Sequence, residues 1–176
     1  RVFAATQKGN GTTEILRSLD HGDAWSTILT VSTRCVPSFA VAAAPDSLLL
    51  SCGARLLRTF DAGLTWDEPP SPFPDNFRLA SGPGGNLFAY NLTRVSLSTT
   101  GGNSWSDRGP APPSCPGLLA LDVEPNHSNV LVAGTGLLGS SGFQCGGTFL
   151  STDGGQSWTA SDLSGVYVTD VAFEPG

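Results

Sequence analysis

Two carboxylates have the residue type and setting for acid–base chemistry. Asp122 lies two residues before Glu124 and Asp170 lies four residues before Glu174, and a proline follows each glutamate. Two carboxylates that meet in one site perturb each other's pKa, so that one can donate a proton while the other accepts one. Because the two offsets differ, the ordinary alternative is that both carboxylates are solvated or cap turns.

The other candidates for catalysis lack partners. His21 lies inside a repeated turn motif and His127 lies inside an Asn-x-Ser triplet, so neither has a neighbouring ligand or nucleophile. The two tyrosines, Tyr90 and Tyr167, have no adjacent glutamate to activate them. We therefore predict no catalytic residue, no metal site and no cofactor.

Several other residues have ordinary structural explanations. Residues 82–85 and 101–102 are rich in glycine, but no predicted helix follows to complete a phosphate-binding loop. Arg55 and Arg58 flank a predicted strand, and we expect both to be exposed. Three loop phenylalanines would form a platform for a sugar or, more often, fill gaps between structural units; they are Phe73, Phe77 and Phe143.

The elements that must position these residues carry a motif that occurs four times, Ser/Thr-x-Asp-x-Gly-x-Ser/Thr-Trp. The copies use every tryptophan of the chain and are Ser18-x-Asp20-x-Gly22-x-Ala24-Trp25, Thr59-x-Asp61-x-Gly63-x-Thr65-Trp66, Ser98-x-Thr100-x-Gly102-x-Ser104-Trp105 and Ser151-x-Asp153-x-Gly155-x-Ser157-Trp158. The aspartate can accept backbone N–H groups, the glycine accepts a positive φ, and the indole buries apolar area against a sheet. The motif predicts a tight structural hairpin, held less tightly where Thr100 and Ala24 depart from the pattern.

The motif resembles the Asp box, or BNR repeat, of sialidases, sortilin-type receptors and many secreted β-propellers. The resemblance implies an all-β, four-bladed propeller with the boxes at its periphery, away from any catalytic pocket. A single domain, 1–176, would contain blades of about 1–33 plus 167–176, 34–75, 76–114 and 115–166. The predicted strands include 36–44, 48–52, 55–60 and 65–68 in the second blade, 87–90 and 93–98 in the third, and 118–123, 130–133 and 148–151 in the fourth.

The two ends of the chain complement each other. The first repeat lacks its first strand, while residues 168–175 resemble the first-strand segment 119–125. Two residues separate Pro45 from Leu48, and joining the ends would likewise leave two residues between Pro175 and Val2.

We therefore predict a propeller closed by pairing of the C-terminal strand with the N-terminal blade, because a tethered strand has a high local concentration. Donation of that strand to the next copy would instead give a ring or filament. Excision of four blades from a larger propeller is the third reading.

The resemblance does not extend to sialidase chemistry. A sialidase would need an arginine cluster, a Tyr nucleophile paired with Glu, and an Asp acid/base in a six-bladed propeller. The chain offers no such Tyr–Glu pair and no Arg-Ile-Pro motif near its N-terminus. In a propeller, Asp122 and Asp170 would lie on first strands that face the channel, so an enzyme stays an alternative to the favoured non-catalytic role.

Composition limits the partners. The chain has 176 residues, 39% of them hydrophobic and 14% charged, which suits one domain with a sizeable core. Its formal net charge of −6 argues against nucleic acid or an anionic membrane as partner, and no apolar run is long enough to span a bilayer. With no methionine and with arginine at position 1, the sequence is typical of a processed segment of a longer product.

Cysteines and glycosylation triplets indicate an extracellular setting. The four cysteines lack zinc or redox spacing, and pairing Cys35 with Cys52 and Cys115 with Cys145 is favoured because each pair falls within one repeat; four free thiols are the alternative. The predicted N-glycosylation sites are Asn10, Asn91 and Asn126.

Together these features predict a secreted glycoprotein with a non-catalytic structural or interaction role. Its expected partners are N-linked glycans and protein, either further copies of itself or another extracellular protein. Self-assembly into an extracellular fibre or coat is the specific hypothesis. The alternatives are a glycan-active or glycan-binding relative of propeller glycosidases and a sortilin-like ligand-binding ectodomain.

Overall fold

The computed structural model describes residues 1–42, 44, 46–112, 115, 117–139 and 142–174, of which most form antiparallel β-sheet. Within these ranges the strands are β1 (Val2–Gln7), β2 (Thr13–Ser18), β3 (Ser26–Val31), β4 (Ser38–Val41), β5 (Leu48–Cys52), β6 (Arg55–Thr59), β7 (Arg78–Ser81), β8 (Leu87–Tyr90), β9 (Arg94–Ser98), β10 (Ser106–Pro110), β11 (Leu118–Val123), β12 (Leu131–Gly139), β13 (Gly142–Ser151) and β14 (Thr159–Ser164). The helical content described is a single 3-10 turn at Pro83–Gly85. The chain is therefore all-β, as the sequence predicts.

The strands form four sheets, each a meander in which sequence neighbours pair. Blade 1 contains β1–β3, blade 2 contains β4–β6, blade 3 contains β7–β10 and blade 4 contains β11–β14. Short turns rich in glycine join the strands, which permits the antiparallel pairing of consecutive segments. In blades 1, 3 and 4 the repeated motif joins the last two strands, and in blade 2 it follows the last strand, β6.

Two predicted strand boundaries differ from the structure for clear reasons. Residues 65–68 form no ladder, only a single bridge between Arg58 and Asp67, because Pro69 and Pro70 follow at once and lack N–H donors. Residues 136–147, which lie between the predicted strands 130–133 and 148–151, extend the β12–β13 hairpin, with a register shift at Leu137. Residues 140 and 141 at its tip lie outside the described ranges.

Three apolar clusters hold the blades together, one at each junction between consecutive blades. The cluster between blades 1 and 2 contains Ile15, Leu50 and Leu57; Leu49, Phe77 and Leu87 belong to the one between blades 2 and 3; and Phe88, Leu121 and Leu131 belong to the one between blades 3 and 4. Among the described residues, no such cluster and no hydrogen bond joins blade 4 to blade 1. The described residues thus join the four blades at three junctions and not at a fourth, an arrangement we call the open arc.

The C-terminal segment, defined here as residues 165–174, departs from the prediction. Residues 168–173 do not form a strand and do not pair with β1, and Pro175 and Gly176 lie outside the described residues. Instead the segment lies on blade 4, where the Val168 N–H donates to the Thr135 carbonyl (3.2 Å) and the Phe173 N–H donates to Asp122 Oδ2 (2.7 Å). Without a partner strand along either edge, these residues cannot form a ladder.

Both disulfides join cysteines that the sequence pairs. Cys35, between β3 and β4, is bonded to Cys52 at the end of β5, and Cys115, before β11, is bonded to Cys145 in β13. Each bond connects the loop entering a blade to one of that blade's strands. Such cross-links are typical of oxidising compartments.

Candidate functional site

The motif of blade 4 forms a compact hydrogen-bonded turn. The Gly155 N–H donates to Ser151 Oγ (2.8 Å), while Asp153 Oδ1 accepts the Ser151 hydroxyl (2.8 Å) and the N–H groups of Gln156 and Ser157 (both 2.9 Å). The Ser157 hydroxyl donates to Asp153 Oδ2 (2.5 Å). The aspartate therefore joins both ends of the turn, and Gly155 has φ of 89°, which other residues resist.

The two departures from the motif change these bonds. In blade 3, Thr100 Oγ1 takes the place of the carboxylate oxygen and accepts the Ser104 N–H (2.9 Å), without a charge. In blade 1, Asp20 accepts the Ala24 N–H (2.9 Å), but Ala24 has no hydroxyl to donate. The prediction that these two turns are held less tightly therefore has a structural basis in the number and charge of their bonds.

The turn bonds stabilise the ionised aspartates. The Thr65 hydroxyl and N–H lower the pKa of Asp61 to about 2, and the Ser157 hydroxyl and N–H lower the pKa of Asp153 to about 2. The Ala24 N–H likewise lowers the pKa of Asp20. These carboxylates are structural acceptors that stay charged, so they are poor candidates for proton transfer at neutral pH.

Three of the four motif turns also pack on the preceding blade. A Cβ at Gly63 would overlap Ile28 of blade 1, a Cβ at Gly102 would lie 2.9 Å from Leu49 of blade 2, and a Cβ at Gly155 would lie 3.3 Å from Val95 of blade 3. Glycine at this position therefore permits close approach between blades as well as the turn itself. Gly22 of blade 1 has no neighbour of this kind, since only Trp25 of its own turn comes near.

An arginine of each of the first three blades binds the motif turn of the next. Arg17 donates to the Ala62 carbonyl (2.7 Å), Arg58 donates to the Gly101 carbonyl (2.7 Å), and Arg108 donates to the Gly154 carbonyl (2.9 Å). Contrary to the sequence-based expectation, Arg58 is buried, with 6% of its surface exposed, because its partners include the next blade. We call these three residues the inter-blade arginines.

A cleft of about 490 Å³, called here the central cleft, is lined by residues of blades 1, 3 and 4 and of two connecting loops. Its lining includes Gln7 of blade 1, Arg34 and Val36 of the β3–β4 loop, Asn76 and Phe77 of the loop before β7, Arg78 and Tyr90 of blade 3, and Leu118 of blade 4. Arg34 donates to Gln7 Oε1 (3.1 Å) and Arg78 donates to the Leu119 carbonyl (2.6 Å). The volume is in the range of small-molecule sites.

The two cleft arginines differ from the other cations of the chain. Of the nine Lys and Arg residues, five form an ion pair with a carboxylate, and Arg58 is one of these. Two more, Arg17 and Arg108, are inter-blade arginines. In the described part of the chain, Arg34 and Arg78 have no carboxylate within salt-bridge distance.

Burial raises the pKa of Tyr90 above its usual value, and Arg78 partly offsets this shift, so the phenol in the cleft stays protonated.

Asp122 and Asp170 each accept a backbone N–H group of the C-terminal segment. Asp122 accepts the Phe173 N–H, and Asp170 accepts the N–H of Val171 (3.0 Å), so both carboxylates fix the backbone of the C-terminal segment. His127 contacts Glu124 within its own turn, and His21 is exposed. No group of three His, Cys, Asp or Glu side chains suited to a metal occurs among the described residues.

The remaining predicted candidates fall in structural positions. Phe73 and Phe77 are buried between blades 2 and 3, with ring centroids 5.9 Å apart, and so fill a gap rather than form a sugar platform. The side chain of Phe143 lies outside the described part of the structure. Asn10 and Asn126 are exposed in turns, and Asn91 is half-buried at the cleft, where its amide donates to Asp75 (3.1 Å).

Three solved structures share this fold. They are a GH74 enzyme of Niastella koreensis (16% identity over 89% of this chain and 28% of that chain, TM-score 0.58), a chain of a nidogen/laminin complex (10%, 94%, 62%, TM-score 0.65) and YCF48 from Cyanidioschyzon merolae (14%, 91%, 72%, TM-score 0.52). This chain thus spans less than two thirds of the first two. No protein-family model and no curated protein matches the sequence.

At these identities the comparisons show fold alone. GH74 enzymes and YCF48 are propeller proteins, so the four sheets have a propeller-type arrangement. No helix in the described ranges is long and apolar enough to cross a membrane.

Proposed function

We propose that this chain is a non-catalytic, extracellular Asp-box propeller module whose copies assemble end to end. The observation that carries the proposal is the open arc: three blade junctions are built alike, and the fourth pair of blade faces has no partner among the described residues. An exposed face that repeats the chemistry of a buried junction is a site for association.

The uncovered face of blade 1 is clear from matched positions. Val2 lies opposite the first residue of its motif, Ser18, and Leu48, Leu87 and Leu131 lie opposite the equivalent serine or threonine in the other blades. Val2 is 39% exposed, whereas those three leucines are at most 2% exposed. Likewise Trp25 is 42% exposed, whereas the other three motif tryptophans are half-buried. Blade 1 therefore presents an apolar face that the other blades bury against a predecessor.

The free face of blade 4 is unlike that of blade 1, so the two faces cannot form a symmetric contact. Its positions equivalent to the buried Phe88 and Val95 of blade 3 are Val132 and Thr148, which are half-buried. Leu150 directly precedes the motif serine, a position that Arg17 and Arg58 occupy in blades 1 and 2, and it is 42% exposed. Contact between unlike faces is heterologous, and it generates rings or filaments.

The extracellular part of the proposal is supported by the two disulfides and by the three glycosylation triplets. Asn10, Asn91 and Asn126 lie in turns between strands rather than on the blade faces, so glycans there would leave the faces free. The partners proposed are therefore further copies of this chain and N-linked glycans. Mass spectrometry of the native material tests the glycans directly, and unmodified asparagines would remove that part of the proposal.

The test of assembly is the mass of the native particle. Light scattering on undenatured material, with electron microscopy of the same sample, should give species at multiples of the 18.2 kDa polypeptide plus its glycans. A monodisperse monomer over a wide concentration range would refute self-assembly.

A second candidate function is binding of an anionic glycan in the central cleft. It is favoured by Arg34 and Arg78, two guanidinium groups without a carboxylate partner, beside the Gln7 amide and the Tyr90 ring. Calorimetry should detect an oligogalacturonate but not a neutral oligosaccharide of equal length. Arg34→Ala and Arg78→Ala should each weaken binding at least tenfold, while Arg94→Ala, which removes an exposed arginine paired with Asp107, should not.

A further inference from the structure

Two incomplete pieces of sheet remain at the ends of the arc. Blade 1 has β1 at its inner edge with no strand beyond it, although the equivalent strands β5, β8 and β12 each pair with a first strand. The C-terminal segment lies on the free face of blade 4, where a first strand of another blade would lie. Blade 1 therefore lacks a first strand, while the C-terminal segment belongs to no sheet.

The C-terminal segment is held in place by close contacts. A Cβ at Gly134 would lie 2.7 Å from Val168, and one at Gly136 would overlap the Tyr167 ring, so these glycines let the segment approach β12. Asp122 accepts the Phe173 N–H at the other end of the segment. Glycine in a strand often marks such an approach of another backbone.

Over the last five described residues of the segment, 170–174, burial alternates as in a strand. Val171 and Phe173 are half-buried, whereas Asp170, Ala172 and Glu174 are exposed. Period-two alternation indicates that one side of the segment faces blade 4 and the other faces away. The segment thus has the side-chain pattern of a strand before it has a partner.

The other blades determine the register that a partner would adopt. In blade 4 the first strand ends with Val123 opposite Leu131, and Leu131 lies opposite the motif serine Ser151. Val2 lies opposite Ser18 in the same way, and Phe173 precedes glutamate as Val123 does. The matching register places Phe173 opposite Val2, Val171 opposite Ala4 and Val168 opposite Gln7.

This register also agrees with the faces. Directly opposed residues of an antiparallel pair lie on the same side of a sheet. Val171 and Phe173 face blade 4. In this register Val2, the exposed apolar residue of β1, would lie on the same side of the sheet. Ala5, which packs in the cluster toward blade 2, would lie on the opposite side.

Among the described residues, no ladder and no hydrogen bond joins the C-terminal segment to β1, so pairing the two within one chain would require movement at the blade junctions. Those junctions contain fully buried side chains such as Leu49, Leu50 and Phe88, and close-packed cores resist such deformation. A second copy can supply β1 without any change at the junctions.

We propose that residues 168–173 of one copy pair antiparallel with β1 of the next copy, Phe173 opposite Val2, to complete a four-stranded composite blade. This inference rests on the proposed end-to-end assembly and identifies the strand that forms it. The composite blade covers Val2 and Trp25, and it repeats the existing blade junction at every contact between copies.

Cysteine cross-linking tests the pairing and the register. Phe3 and Ala172 are opposed in the proposed register, so the double variant Phe3→Cys/Ala172→Cys should give an oxidised ladder of covalent multimers on a non-reducing gel. A mixture of the two single variants should give covalent dimers. In the control, Ala4→Cys replaces Phe3→Cys and points to the other side of the sheet, so cross-linking with Ala172→Cys should fall at least tenfold.

The outcomes separate this inference from the proposed function. If native material assembles but the opposed cysteines do not cross-link above the control, the chain self-associates by another surface and strand donation is wrong. If a cross-link forms within a single chain, the propeller closes on itself and the inference is overturned. A native monomer without any cross-link overturns both proposals.

A proline variant gives an independent readout. Ala172 is exposed, and in the proposed register its N–H faces β1, because it corresponds to Asp122, two residues before Glu124, whose N–H donates across its own pair to Val130. Proline at this position removes a ladder donor and interrupts strand pairing, so Ala172→Pro should reduce the native particle to a monomer. Ala172→Val preserves the donor and should assemble as the native chain does. Assembly by both variants, at unchanged far-UV circular dichroism, would contradict strand donation.

Discussion

Replacement of the inter-blade arginine Arg58 should destabilise the protein far more than replacement of its neighbour Arg55. Both residues lie in β6 and both form two bonds with a carboxylate, Arg58 with Asp67 and Arg55 with Glu68. The side chain of Arg58 is 7% exposed, whereas that of Arg55 is 45% exposed. The pair is therefore a matched comparison of a buried and an exposed arginine.

The expected difference follows from the partners across the blade junction. Arg58 also donates to the Gly101 carbonyl (2.7 Å) and to Asn103 Oδ1 (2.9 Å), and its guanidinium lies 4.6 Å from the centre of the Phe60 ring. Two hydrogen bonds from a charged donor contribute about 1.5 kcal/mol each, so Arg58→Ala should cost about 3 kcal/mol. Arg55→Ala removes an exposed ion pair and should cost about 0.5 kcal/mol.

Urea unfolding followed by tryptophan fluorescence measures both costs, since Trp105 closes the turn that Arg58 binds. In a chain of this size a loss of 3 kcal/mol lowers Tm by about 6–12 °C. Asn103→Ala should couple to Arg58→Ala in a double-mutant cycle and should not couple to Arg55→Ala. Equal losses for Arg58→Ala and Arg55→Ala would refute the role assigned to the inter-blade arginines.

Three further predictions concern single elements. Asp153→Ala should cost about 2 kcal/mol and Thr100→Ala about 1 kcal/mol in urea unfolding, because only Asp153 is a charged acceptor at both ends of its turn; equal costs would count against that role. The pKa of Asp153 in the folded protein is about 2, below its usual 3.8, so the stabilisation from its ionised form is present above about pH 4 and is lost as pH falls toward 2. Asp153→Asn should make the free energy of unfolding less dependent on pH between about 4 and 2. An unchanged pH dependence in that range would contradict the assignment. Reduction of the two disulfides should cost about 3 kcal/mol each and raise hydrogen exchange in blades 2 and 4 first; uniform loosening would contradict their local role.

The sequence predicts features that depend on local pattern. Strand 48–52 is an apolar run bounded by turn residues, and its prediction matches β5. The motif places each turn because its hydrogen bonds join residues at most four apart, as between Ser151 and Gly155. Pairing of cysteines within a repeat is local in the same sense.

Features that depend on contacts between repeats could not be predicted in this way. Arg58 is buried by residues 43 and 45 positions away, so its own strand pattern gives no signal of burial. The cleft arginines Arg34 and Arg78 come from different blades and are brought together only by the arc. No local sequence signal marks both residues, since Asp75 lies only three positions before Arg78.

The C-terminal segment shows how a correct local pattern can yield a wrong local structure. Residues 168–173 have the alternation of a first strand, but an isolated strand leaves its N–H and C=O groups unpaired along both edges. Within residues 168–173, as far as the structure describes them, only the Val168 and Phe173 N–H groups donate to blade 4, through the Thr135 carbonyl and Asp122, and the Val171 N–H donates to Asp170 of the segment itself. The remaining backbone groups lack hydrogen-bond partners within a sheet, and blades 1 and 4 have uncovered apolar faces, so pairing with another strand is favoured. Because the junctions between blades are rigid, that strand is favoured to come from another copy.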